Sequence, residues 1–165
     1  MKAGHQARYR RSCAGLVGAA AQGPIYPREM GLLLRVCVLG PDAVADYQPL
    51  FSLIDRLRKV AKSIKGQQRL VLALQGALLY RVGRHGEAVA RLKESVGEGQ
   101  PAGRMEAAFL AMAYHKLGQA AEARRWLDSA LAAGPRDEAT LDWDTLEGWL
   151  LCREAGALLG AKSPK

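Results

Sequence analysis

"ALLYRVGRHGEAVARL", residues 77–92, and "AMAYHKLGQAAEARRWL", residues 111–127, are written on one plan. Gly83 and Gly118 lie 35 positions apart, as do Glu87 and Glu122, Ala88 and Ala123, and Leu92 and Leu127. A register that holds across small, large, charged and helix-ending positions marks a structural repeat. Each copy reads as two helices joined by a tight turn. Glycine at 83 and 118 permits the left-handed conformation that ends the first helix. Gly76 and Ala111 sit in the middle of that helix, and Ala88 and Ala123 in the second. These small side chains let the two helices approach closely. Leu79 and Tyr114, then Leu92 and Leu127, fill the larger spaces.

The rest of the 165-residue chain agrees with an all-helical reading. Apolar residues make up 49%, enough for a core, while aromatics are only 6%, and the β-branched clusters of strands are scarce. The spacing predicts helices over 6–20, 28–39, about 46–65, 68–82, 85–97, 104–117, 120–133 and about 142–159. Gly-Pro pairs at 23–24, 40–41 and 134–135 punctuate them. Asp46 is placed to cap the third helix, with Pro49 in its first turn. Leu50, Leu53, Ile54, Leu57, Val60, Ala61 and Ile64 form one stripe at spacings of three and four, which predicts a buried face. Trp143, Leu146, Leu150, Leu151, Ala155 and Leu158 are expected to cover the end of the second helix pair.

The ordered pattern small, large, Gly, Ala, Leu, small resembles the tetratricopeptide repeat. It runs Gly76, Leu79, Gly83, Ala88, Leu92, Ser95, and again Ala111, Tyr114, Gly118, Ala123, Leu127, Ala130, Pro135. The flanks, "YRRSCAGL", "VCVLGPDAVAD" and "WDTLEGWLLCREAGALLG", resemble the C-terminal repeat regions of planctomycete bacterial proteins that carry WD-repeat or serine/threonine kinase domains. The resemblance implies an α-solenoid, a superhelix of stacked antiparallel helix pairs. Its divisions would be a degenerate repeat region at 1–66 and two repeats within 67–135 (68–101 and 103–135). A capping helix at 142–160 and a disordered tail at 161–165 would follow. It further implies a scaffold that binds a peptide or protein on the concave face of the first helices. That face would carry Ala73, Ala77, Tyr80, Arg81, Met105, Ala108, Met112, His115 and Lys116. Two methionines suit adaptable contact, and the cations suit acidic or carbonyl groups.

Charge and chemistry narrow the alternatives. The net charge of +8 favours an acidic partner without naming it. A basic helix at 55–69 leaves nucleic-acid binding as an alternative, although it lacks aromatic residues for stacking on bases. A fragment of a larger kinase or WD-repeat protein is a third reading. The chain has no Gly-rich nucleotide loop and no H-R-D or D-F-G motif, and neither His85 nor His115 belongs to a triad-like pattern, so no enzyme is expected. Cys13, Cys37 and Cys152 have no C-x-x-C spacing and read as small apolar fillers in a reducing compartment. No cofactor or metal is expected. Without a stretch long enough to span a membrane, the expectation is a cytoplasmic monomer.

Overall fold

The computed structural model describes residues 3–61, 67–133 and 143–160. Among them there are eight helices and no strands. These are α1 (Ala3–Gln22), α2 (Pro27–Val38), α3 (Gln48–Ala61), α4 (Gln67–Arg81), α5 (His85–Val96), α6 (Arg104–Lys116), α7 (Ala120–Ala132) and α8 (Trp143–Leu158). The all-α class read from composition is therefore observed. Ile64, the Gly134-Pro135 break, the polar turn after it and the tail at 161–165 lie outside the described residues.

The 35-residue register reappears in the backbone. Gly83 has φ +82° and Gly118 φ +75°, a conformation open to glycine but costly for other residues. The Arg84 N–H donates to the Leu79 carbonyl at 2.9 Å and the Gly83 N–H to Tyr80 at 3.0 Å. One repeat later, the Gln119 N–H donates to Tyr114 at 2.9 Å and the Gly118 N–H to His115 at 3.0 Å. Both turns thus satisfy two helix-end carbonyls by the Schellman arrangement, which explains why glycine recurs there. The following helices start alike, with Ala88 donating to Arg84 at 2.9 Å and Ala123 to Gln119 at 3.0 Å.

These turns fold α4 onto α5 and α6 onto α7, the two most extensively packed helix pairs in the molecule. Within the first pair Leu92 presses on Gly76. A Cβ there would lie 2.6 Å from Leu92 Cγ and 3.2 Å from the Ala88 carbonyl oxygen, so only hydrogen fits. Ala88, Leu92, Ala111, Ala123 and Leu127 are wholly buried. Ser95, where the second copy has Ala130, is also buried, and its hydroxyl donates to the Leu92 carbonyl at 2.7 Å. That bond offsets the cost of placing a polar group in the seam.

The α2–α3 pair precedes α4 and packs on it through both helices. Asp46 Oδ1 accepts from the Gln48 N–H at 2.9 Å, as its capping position predicts. The α3 stripe is buried at Leu50, Leu53, Ile54, Leu57 and Ala61, while Val60 faces solvent. Val60 is flanked by the exposed Lys59, so the buried arc is narrower than the apolar pattern. Helix α1 is peripheral. Among the described residues it packs on α2, α3 and the segment between them, and Cys13 and Ala20 are its buried residues.

Candidate functional site

The side of the molecule bearing α2, α4 and α6 is partly filled by the protein itself. Helix α8 packs mainly against α6 and also against α7, and its side chains reach α4 and α2. Ala73, Ala77, Ala108 and Met112 are wholly buried. Tyr80 is nearly buried, with its ring 5.6 Å from Phe109 and 5.3 Å from His85. Met105 is half-buried on a cleft wall, and only His115 and Lys116 of the expected set are well exposed.

Arg81 shows why this side differs from an open trough. Its side chain is 2% exposed. The guanidinium donates to both carboxylate oxygens of Glu154 on α8, at 2.5 and 2.7 Å, and to the Val38 carbonyl at the end of α2, at 2.7 and 2.9 Å. It also lies 5.2 Å from the Phe109 ring centre and 5.5 Å from that of Tyr80. The planar fork thus ties together three helices, which a single-point ammonium cannot do.

A second junction lies one helix over. Arg35 on α2 donates to Glu147, with its Nε–Oε2 contact at 3.1 Å, and also pairs with Asp144. Burial works against the Arg35 charge, but its hydrogen bonds to Glu147 and Asp144 outweigh it and hold its pKa up. Glu147 is the more deeply enclosed partner at 3% exposure, and burial raises its pKa despite the pull of Arg35. Arg69 on α4 completes the set. It donates to Glu106 on α6 at 3.0 Å and to the Pro101 carbonyl at 3.0 Å.

Helix geometry explains how α8 supplies this chemistry. At about 100° per residue, Asp144, Glu147, Gly148, Leu151, Glu154 and Ala155 fall on one face. Small and apolar positions seat the helix, and the carboxylates beside them meet the arginines. The stem of Arg104 passes over Gly148, where a Cβ would collide with it. Trp143, Leu146 and Trp149 point to the other side and are exposed, contrary to the expectation that Trp143 and Leu146 cover the preceding pair. Arg153 stacks over Trp149 at 4.6 Å. Arg35, Arg69, Asp144, Glu147 and Glu154 were not among the residues expected at the site. The legible signal was three carboxylates sharing a helical face with Gly148, Leu151 and Ala155.

Among the described residues, two clefts lie beside α8. The larger, about 710 Å³, is lined by Arg35, Arg69, Leu70, Met105, Arg104 and Thr145 among others. The smaller, about 540 Å³, brings together Tyr80, Arg81, His85, Lys116 and Glu154. Of the expected partner-binding residues, Ala73 and Met105 line the first and Tyr80, Arg81 and Lys116 the second. His85 has a lowered pKa, from burial and then from the Lys116 charge, and its Nδ1 is buried with no hydrogen-bond partner among the described residues. The alternative basic surface on α3 is exposed at Arg56, Arg58 and Lys59, with Arg58 paired to Asp55 at 3.5 Å.

Among the described residues, no group of three or more His, Cys, Asp or Glu side chains is arranged to hold a metal ion. No helix among them is long and apolar enough to cross a membrane. Comparison with protein-family models, with curated proteins and with solved structures finds no match.

Proposed function

We propose that the chain is a non-catalytic scaffold of the tetratricopeptide type, an α-solenoid of stacked helix pairs that holds an acidic peptide or helix of a partner protein. The recurrence of the helix-ending hydrogen bonds at an offset of 35 supports the repeat reading. The observation that carries the binding reading is the pairing of α8 with this side. Arginines from α2 and α4 hold a carboxylate-bearing helix, Arg35 taking Asp144 and Glu147, and Arg81 taking Glu154. Guanidinium groups fixed by packing recognise carboxylates by geometry as well as charge. The larger cleft beside α8 extends the same chemistry to an outside ligand. Arg69 there is 40% exposed, next to the apolar walls of Leu70 and Met105.

Random-peptide display against the full chain tests this reading. Selected peptides should be rich in Asp and Glu, and their binding should weaken as salt rises. Met105→Glu places a like charge on the cleft wall and should reduce binding at least tenfold while circular dichroism is unchanged. Peptides without acidic bias, or binding indifferent to Met105→Glu, would refute the proposal.

A further inference from the structure

The pairing of α1 with α2 brings together two of the three cysteines. Tyr9, Cys13, Val17 and Ala20 make the inner stripe of α1, at helical spacing, and all four are at least partly buried. The Tyr9 hydroxyl donates to the Val36 carbonyl at 2.8 Å and accepts from the Gly40 N–H at 3.0 Å, so this ring is pinned across the last turn of α2. The two helices form a hairpin and run in opposite directions. The Tyr9 ring lies against Gly40, so one turn further along α1 faces one turn back from Gly40, which sets Cys13 against Cys37. Both are wholly enclosed, and the two thiols are near enough to perturb each other's ionisation.

We propose that Cys13 and Cys37 are a preformed dithiol that closes reversibly to a disulfide, clipping α1 to the α2–α3 pair. Access comes from local opening of α1. Among the described helices it packs on α2 and α3 alone, it buries only Cys13 and Ala20 and it has glycines at 15 and 18, so it belongs to the less stable part of the fold. Cys13 is the attacking group. Opening of α1 carries it into solvent while Cys37 stays on the α2–α3 pair, and in the closed state the neighbouring Cys37 already lowers its pKa against the opposing effect of burial. The same contact, with burial, holds the Cys37 thiol up.

The oxidant is a small-molecule disulfide. The Cys13 thiolate attacks one of its sulfurs, forming a mixed disulfide and expelling one small thiolate. Cys37, losing its proton to solvent, then attacks the Cys13 sulfur and expels the second. The protein dithiol is oxidised by two electrons, and the small disulfide is reduced to two thiols. Cys152 on α8 is buried, with its pKa raised chiefly by burial, and serves as the internal control.

The test treats the unaltered, folded chain with oxidised glutathione and maps its peptides under non-reducing conditions. The expected product links Cys13 to Cys37 and leaves Cys152 a free thiol. Amide exchange in α1 should slow, and the melting midpoint should rise by roughly 5–10 °C, reversibly with dithiothreitol. Cys37→Ser, checked for helix content, should instead accumulate glutathione on Cys13. The proposal is overturned if the folded chain keeps both thiols reduced under conditions that oxidise the urea-unfolded chain. A lasting glutathione adduct on Cys13 of the unaltered chain, or disulfides that include Cys152, would overturn it equally. The unaltered chain decides the matter even if a serine variant does not fold.

Discussion

Gly76→Ala is expected to destabilise the protein, although alanine is the better helix former. In an exposed helix interior the change would gain about 1 kcal/mol. At position 76 the new Cβ would meet Leu92 Cγ at 2.6 Å, Leu92 Cδ2 at 2.9 Å and the Ala88 carbonyl oxygen at 3.2 Å. Ordinary contact begins near 3.4 Å, so α5 must withdraw or the whole Leu92 side chain must turn. Cγ is the branch point, and Leu92 is wholly buried, so there is little room to turn. Overpacking of this kind costs about 1–3 kcal/mol. Set against the propensity gain, the expected net loss is up to about 2 kcal/mol, or up to roughly 8 °C in melting midpoint for a chain of this size. The control is Gly86→Ala in α5, where nothing lies within 4 Å of the new methyl group, and stability should hold or rise slightly. Leu92→Ala should rescue Gly76→Ala, giving a double variant more stable than the two losses added together. Thermal and urea unfolding followed by circular dichroism measure all four proteins. If Gly76→Ala behaves like Gly86→Ala, the close seam between α4 and α5 is not there.

Three further outcomes follow from the same geometry. Arg81→Ala should cost about 3 kcal/mol or more in urea unfolding, because it strands Glu154 and the Val38 carbonyl; Arg81→Lys should recover less than half, since one ammonium cannot serve both. His85 has a folded pKa below its unfolded value, so its contribution is present above pH about 6.5 and lost as pH falls through the folded pKa; melting midpoints from pH 8 to 5 should fall less steeply in His85→Phe. Glu147 has the opposite sign. Its raised folded pKa gives a contribution present below the unfolded carboxylate range and lost as pH rises through the folded pKa, and Glu147→Gln should flatten that part of the profile.

Local features were legible in the residues, and long-range ones were not. The turns at Gly83 and Gly118 could be read because a left-handed residue, its flanking helices and its small-residue seam all lie within one stretch of chain. The cap at Asp46 and the stripe from Leu50 to Ala61 were legible for the same reason. The seat of α8 was not. Arg35 meets partners more than a hundred residues away, and nothing in a charge's spacing names its counter-ion. Helix α8 is apolar on most sides, so its pattern could not say which face turns inward; Trp143 and Leu146 turned out and Glu147 turned in. The face expected for a partner takes α4 and α6 as bare, whereas Ala73, Ala77, Ala108 and Met112 are buried in the packed helices. The closeness of Cys13 and Cys37 depends on the pairing of α1 with α2, so their separation in sequence does not reveal it.

The claim beneath all of this is that two copies of one hairpin share a side on which α8 is seated. Nuclear Overhauser contacts in the isotope-labelled chain test it directly. The expected contacts are Gly76 α-protons with Leu92 methyls, the matching Ala111 methyl with Leu127 methyls, and Gly148 α-protons with the Arg104 stem. Loss of the Ala111–Leu127 contact while Gly76–Leu92 is present would show that the copies fold differently, and absence of Gly148–Arg104 would show that α8 lies elsewhere.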